Sequence, residues 1–139
     1  MNATRLLKLA DFLDQLPRQK FDFARIAHEG HKSMRDALKA GKHRCGTVAC
    51  AIGWTPVVFP RLVRWVTLNI GSRDLDVCLR SDDDSIDFDA AAQIFDIEYD
   101  DACFLFDPGD SRLGDGATPK QVAKHIRKFV KRGGQPTDA

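Results

Sequence analysis

No uncharged apolar run in this 139-residue chain reaches the roughly 20 residues that a helix needs to cross a bilayer. The longest cover only residues 48–60 and 66–70, so no membrane helix is expected. A secretory leader is also missing: the first helical pattern carries Asp11 and Asp14 inside its apolar periodicity and offers no small-residue cleavage site. The expected compartment is the cytoplasm. Cysteine is sparse and irregularly placed, at Cys45, Cys50, Cys78 and Cys103, which in that compartment argues for thiols or ligands and against a disulfide framework.

The familiar catalytic motifs are absent too. There is no G-x-x-x-x-G-K-[ST] phosphate loop, no G-x-G-x-x-G after a strand, no H-E-x-x-H and no G-x-S-x-G; His28-Glu29-Gly30-His31 is one residue short of the zinc motif. An EF-hand begun at Asp83 finds Ser85 and Asp87 at its third and fifth positions. It then meets Phe88 where Gly is required and Ile94 where Glu is required, so calcium binding of that type is excluded. No cofactor is expected.

What the chain does have is an ordinary globular composition with an unusual charge distribution. Hydrophobic residues make up 43% and charged ones 29%, enough to close one core, so residues 1–132 are read as one globular domain and 133–139 as a flexible tail. The net charge is only +1, yet residues 1–70 carry +7, residues 71–118 carry −11 and residues 119–139 carry +5. In one compact domain the acidic middle is expected to pack beside the basic flanks and be neutralised by them; the other use for it is to bind a basic partner.

Periodicity places the elements. Thr4 caps a first helix whose inner face is Leu6, Leu9, Ala10, Leu13 and Leu16, stopped by Pro17. Phe21, Phe23, Ile26 and Ala27 suggest a short second helix ending near Gly30, and residues 33–42 a marginal helical turn closed by Gly41. Thr47 then caps a short central helix over residues 47–53, apolar on all sides and ended by Gly53 in a left-handed conformation. Residues 61–66 suit helix or strand, with helix favoured, and the alternation of Leu75, Val77 and Leu79 reads as a short strand in a small hairpin. The run 82–85 reads as a loop, and Asp87 as the cap of a helix containing Ala90, Ala91, Ile94 and Phe95. Residues 102–106 form another short helix ended by Asp107-Pro108-Gly109. Thr118-Pro119-Lys120-Gln121 opens the last one with a capping box. The fold class is therefore mainly α: a compact single-domain bundle of five or six short helices, all-α apart from a small β-hairpin near residues 66–80.

Two chemical readings centre on the segment from Cys45 to Trp54. His28, His31, His43, Cys45 and Cys50 could in principle be gathered round zinc. Structural zinc sites, however, favour two Cys knuckles, and no second pair answers Cys45 and Cys50, so no metal is expected. Cys45 ahead of a helix N-terminus, beside His43 and Arg44, has the setting of an activated thiol, and a thiol- or metal-dependent enzyme centred on Cys45 and His43 is the alternative reading. Cys50, between Ala49 and Ala51, reads as a small buried hydrophobe. The basic face Lys120, Lys124, Arg127, Lys128 and Lys131 of the last helix supports a second alternative, a nucleic-acid-binding regulator.

Several of these segments occur together elsewhere. The Leu6-Leu7-Lys8-Leu9-Ala10-Asp11-Phe12-Leu13 helix, the Cys45-Gly46-Thr47-Val48-Ala49-Cys50-Ala51-Ile52-Gly53-Trp54 core, Ala91-Ala92-Gln93-Ile94-Phe95-Asp96-Ile97, Cys103-Phe104-Leu105-Phe106 and the Thr118-Pro119 helix start are the parts in question. In these the chain resembles a family of small bacteriophage and prophage proteins with a Cys-Gly-Thr-x-Ala-Cys-Ala-x-Gly core. The resemblance covers most of the chain and brings no catalytic residues with it. It implies a bacterial host cytoplasm and action by protein-protein interaction, as an inhibitor or modulator of a host defence protein. The densest charge, at Asp82, Asp83, Asp84, Asp87, Asp100 and Asp101, is the expected partner-binding surface.

Overall fold

The computed structural model describes residues 1–23, 26–28, 48–67 and 74–135. Among them are five α-helices, a single 3-10 turn at Arg18–Lys20 and five short strands, so the protein is mixed α/β and the all-helical bundle expected from the sequence is incorrect. In chain order the elements are α1 (Ala3–Gln15), β1 (Ala27–His28), β2 (Val48–Ala49), α2 (Thr55–Val58) and β3 (Val63–Val66). They continue with β4 (Asp74–Leu79), β5 (Asp82–Ile86), α3 (Phe88–Phe95), α4 (Tyr99–Phe106) and α5 (Pro119–Lys131).

The sheet is antiparallel and is organised by β4, the longest strand. The strand order is β2-β1-β4-β3, with β5 also on β4. β3 takes one edge of β4, from Val63 opposite Leu79 to Val66 opposite Asp76. The other edge is shared end to end: β1 pairs at Asp74 and Leu75, and β5 at Cys78 and Leu79. Val63 and Trp65 are buried while Arg64 and Val66 are half-buried, an alternation that belongs to a strand. The helix expected over 61–66 is thus overturned by partner strands that local periodicity does not reveal. At 82–85 the expected loop is also a strand; its carboxylates point to solvent from an edge, where charged side chains are compatible with pairing on one side only.

The expected central helix over 47–53 is likewise corrected. Val48 and Ala49 are strand, residues 50–54 turn, and helix begins only at Thr55. An apolar run of this length fits a buried strand as well as a buried helix, and here β1 supplies the ladder. Gly53 serves close approach: a Cβ at Gly53 would overlap the Ile26 carbonyl and lie 2.7 Å from the Ala49 Cβ. The same Ile26 oxygen accepts the Cys50 N–H at 3.2 Å, and Trp65 Nε1 donates to the Gly53 carbonyl at 2.8 Å. These bonds pin β1, the turn and β3 to one another. At its described residues the short helix expected from Phe21 to near Gly30 is not formed: Phe21 follows the 3-10 turn as an isolated bridge to Ala49, and Ala27–His28 are β1.

The remaining helices close the core. Asn2, rather than Thr4, caps α1, its Oδ1 accepting the Arg5 N–H at 3.0 Å. Leu6, Leu9, Ala10 and Leu13 of α1 and Val122, Ala123, Ile126 and Phe129 of α5 are all buried where those two helices pack. The full capping box forms at Thr118 and Gln121. Phe95 joins the layers: it meets Phe59 edge to face at 5.8 Å and Phe106 at 5.8 Å. No described helix is long and apolar enough to cross a membrane.

Candidate interaction surface

The β4–β5 hairpin holds its acidic residues outward by local hydrogen bonds. Asp82 turns its carboxylate back on the chain, accepting the Asp84 N–H at 3.0 Å and the Ser85 hydroxyl at 2.9 Å. Ser85 is buried and is also bonded by the Gln93 amide of α3, which ties the strand to the helix behind it. Asp83 pairs with Arg64 of β3 at 3.1 Å across an exposed surface, a contact worth less than about 1 kcal/mol. Asp84 stands in solvent.

The six aspartates expected to form one contact surface come from β5, from the β5–α3 junction and from α4. Asp82, Asp83 and Asp84 share the hairpin. Asp100 and Asp101 lie in the first turn of α4, where their charge also suits the helix N-terminus. Asp87 turns inward, its Oδ1 accepting the Val77 N–H at 2.8 Å, so it is withdrawn from the proposed contact. In its place the structure adds the exposed Asp89, Asp96 and Glu98 along α3 and its exit, and Tyr99, which is 49% exposed and rests edge-on against Phe88 at 6.3 Å. An exposed aromatic among carboxylates is a typical interface anchor. Nothing in a spacing rule marks it.

Ion pairs that join this acidic middle to the basic flanks include Arg64 with Asp83 and the N-terminal ammonium with Asp96. The cations of α5 are matched instead by α1: Arg127 reaches Asp11 at 2.9 Å and Asp14 at 2.5 Å, and Lys120 Nζ donates to the Asp14 carbonyl at 3.3 Å. Lys124, Lys128 and Lys131 remain exposed. A second basic surface, a shallow groove of about 460 Å³ with Arg5, Lys8 and Arg61 at its rim, lies where α1 meets α2. Helical spacing puts Arg5 and Lys8 on one flank of α1 and Asp11 and Asp14, with α5, on the other, so the two basic surfaces do not merge into one phosphate-tracking stripe.

The thiol and metal candidates divide between described and undescribed residues. His31, His43, Arg44, Cys45 and Thr47, and the marginal turn at 33–42, lie outside the described residues; of His28 only the strand backbone is described. Cys50 is buried, its Sγ 3.7 Å from the Ile26 carbonyl and accepting the Gly53 N–H at 3.5 Å. Burial pushes its thiol up to about 12 against the lowering effect of that backbone contact, which leaves it protonated at neutral pH. Burial likewise raises the Cys78 and Cys103 thiols. His125 donates from Nε2 to the Phe104 carbonyl at 2.9 Å as a neutral ring, burial lowering its pKa.

Compared with known proteins, the chain matches no family model, no curated protein and no solved structure.

Proposed function

We propose that the chain is a phage-type accessory protein that binds a basic surface on a host protein and acts by occlusion, as an inhibitor or modulator. The observation that carries this reading is the exposed acidic run of Asp82, Asp84, Asp89, Asp96, Glu98 and Asp100, interrupted by Tyr99 and held out by hairpin and helix backbone. Such a surface attracts a basic partner by long-range field and offers one aromatic anchor once contact is made. The phage context rests on the resemblance carried by the N-terminal helix, the Cys45–Trp54 core, residues 91–97 and 103–106 and the Thr118-Pro119 helix start.

The test is affinity capture from bacterial host lysate with the wild-type chain and with the Asp82→Lys, Asp83→Lys, Asp84→Lys triple variant as baits, at low and at high salt. The expected result is a partner held by the wild type at low salt, released as salt rises, and held weakly by the variant. Equal retention by both baits would remove this surface from the proposal. The thiol-enzyme alternative has its own test, because Cys45 alkylated by iodoacetamide far faster than free cysteine would reverse the ranking.

A further inference from the structure

The groove where α1 meets α2 and the acidic β4–β5 hairpin are neighbours on the surface. The groove has Val58, Phe59, Pro60 and Leu62 along its floor and Arg5, Lys8 and Arg61 at its rim. Arg80, the first residue of the β4–β5 turn, joins it to the hairpin: its N–H donates to the Leu62 carbonyl at 2.8 Å and its Nε to the Pro60 carbonyl at 2.7 Å. That contact adds a fourth cation to the groove, and Asp82, Asp83 and Asp84 follow two residues later along the chain. The two sets of charge do not cancel within one molecule. Asp82 is turned back onto Asp84 and Ser85, and Asp83 is on Arg64. Among the described residues no ion pair takes up Arg5, Lys8, Arg61 or Arg80.

We infer that the groove is filled by the acidic hairpin of a second copy of this chain, the two copies exchanging the same contact about a two-fold axis. Where a positive and a negative patch are neighbours, a two-fold rotation sets each patch of one copy against the opposite patch of the other, so the charges are matched twice and the assembly closes at two. Pro60, which is exposed, and Leu62, which is half-buried, lie at the junction of the two patches and supply apolar contact near the axis. A nucleic-acid strand fits this surface less well. It would meet the hairpin carboxylates beside the cations, and Phe59 is buried with Lys8 Nζ 5.6 Å from its ring centre, which leaves no ring face for a base to stack on. The inference is independent of the proposed function; a basic host surface would compete with the second copy for Asp83 and Asp84.

The test is the association state of the purified chain, measured by sedimentation equilibrium from micromolar to submillimolar concentration at low and at high salt. The wild type should form a dimer at low salt that dissociates as salt rises. Lys8→Glu with Arg61→Glu makes the groove acidic, and Asp83→Lys with Asp84→Lys makes the hairpin basic. In either variant the facing patches repel, so its dimer affinity should fall by about tenfold or more. Asp82 is left in place because its carboxylate holds the turn. Mixed in equal amounts, the two variants should form a heterodimer of about wild-type affinity, since each hairpin then meets a groove of opposite charge. Lys8, Arg61, Asp83 and Asp84 are all exposed, and circular dichroism checks that both variants keep the fold. A wild type that stays monomeric at low salt, or one that grows beyond two copies, overturns the proposal. So do folded variants whose association is unchanged, or is not recovered on mixing.

Discussion

The carbonyl oxygen of Ile26 fills the space that a Cβ on Gly53 would need. That oxygen also accepts the Cys50 N–H, and the Gly53 carbonyl accepts the Trp65 indole, so neither backbone can retreat without breaking a buried bond. Gly53→Ala should therefore destabilise the fold by about 3 kcal/mol or more, at the upper end of overpacking effects. Urea unfolding followed by tryptophan fluorescence reads this directly, since Trp54 and Trp65 are both buried. A loss below about 1 kcal/mol would mean that the two chains are not in contact there.

How much of this was legible in the sequence depends on how local each signal is. α5 was fully legible, because Thr118, Pro119 and Gln121 carry its start in four consecutive residues and Val122, Ile126 and Phe129 repeat with the helix. β4 was legible from Leu75, Val77 and Leu79. β2 and β3 were not: apolar and β-branched runs of four or five residues suit helix or strand equally, and the choice is made by β1 and β4 from distant parts of the chain. β5 was hidden by its own acidity, since three aspartates in a row read as loop until an edge position is known. Of the candidate surface, the exposure of Asp82 to Asp84 followed from charge density. The inward turn of Asp87 did not, because it depends on Val77 ten residues earlier and on a backbone conformation unusual for any residue but glycine.

The capping box at the start of α5 gives a smaller and cleaner test. Thr118 Oγ1 accepts the Gln121 N–H at 3.2 Å, and Gln121 Oε1 accepts the Thr118 N–H at 2.8 Å. Thr118→Ala should cost about 1 kcal/mol, and Thr118→Ser should cost little, because serine keeps the acceptor. Thermal unfolding of the two variants distinguishes a working cap from an incidental one; equal melting temperatures for both would show that α5 is held by packing alone.

Cys50 should be chemically silent in the folded protein. With its thiol pushed up to about 12 by burial, the thiolate at pH 7 is about one part in a hundred thousand, and the side chain is out of reach of solvent as well. Peptide mapping after iodoacetamide treatment should find Cys50 unmodified under native conditions and modified once urea unfolds the chain. Native labelling of Cys50 at the rate of free cysteine would show that the β1–β2 region opens readily.

His125 should make the fold less stable as the solution is acidified. The His125 ring packs on Phe104 at 4.7 Å and donates to the Phe104 carbonyl, and its burial lowers its pKa from the ordinary value. A histidine that is harder to protonate when folded binds more protons when unfolded. Its contribution is therefore intact above about 6.5 and is lost as pH falls through the ordinary and then the folded value. His125→Gln retains a donor for the Phe104 carbonyl and cannot titrate, so its stability relative to wild type should improve as the solution is acidified from about pH 7 to about pH 5. Urea midpoints for both proteins at several pH values test this. Parallel curves over that interval would mean that His125 titrates freely, and that α4 and α5 are not closed over the ring.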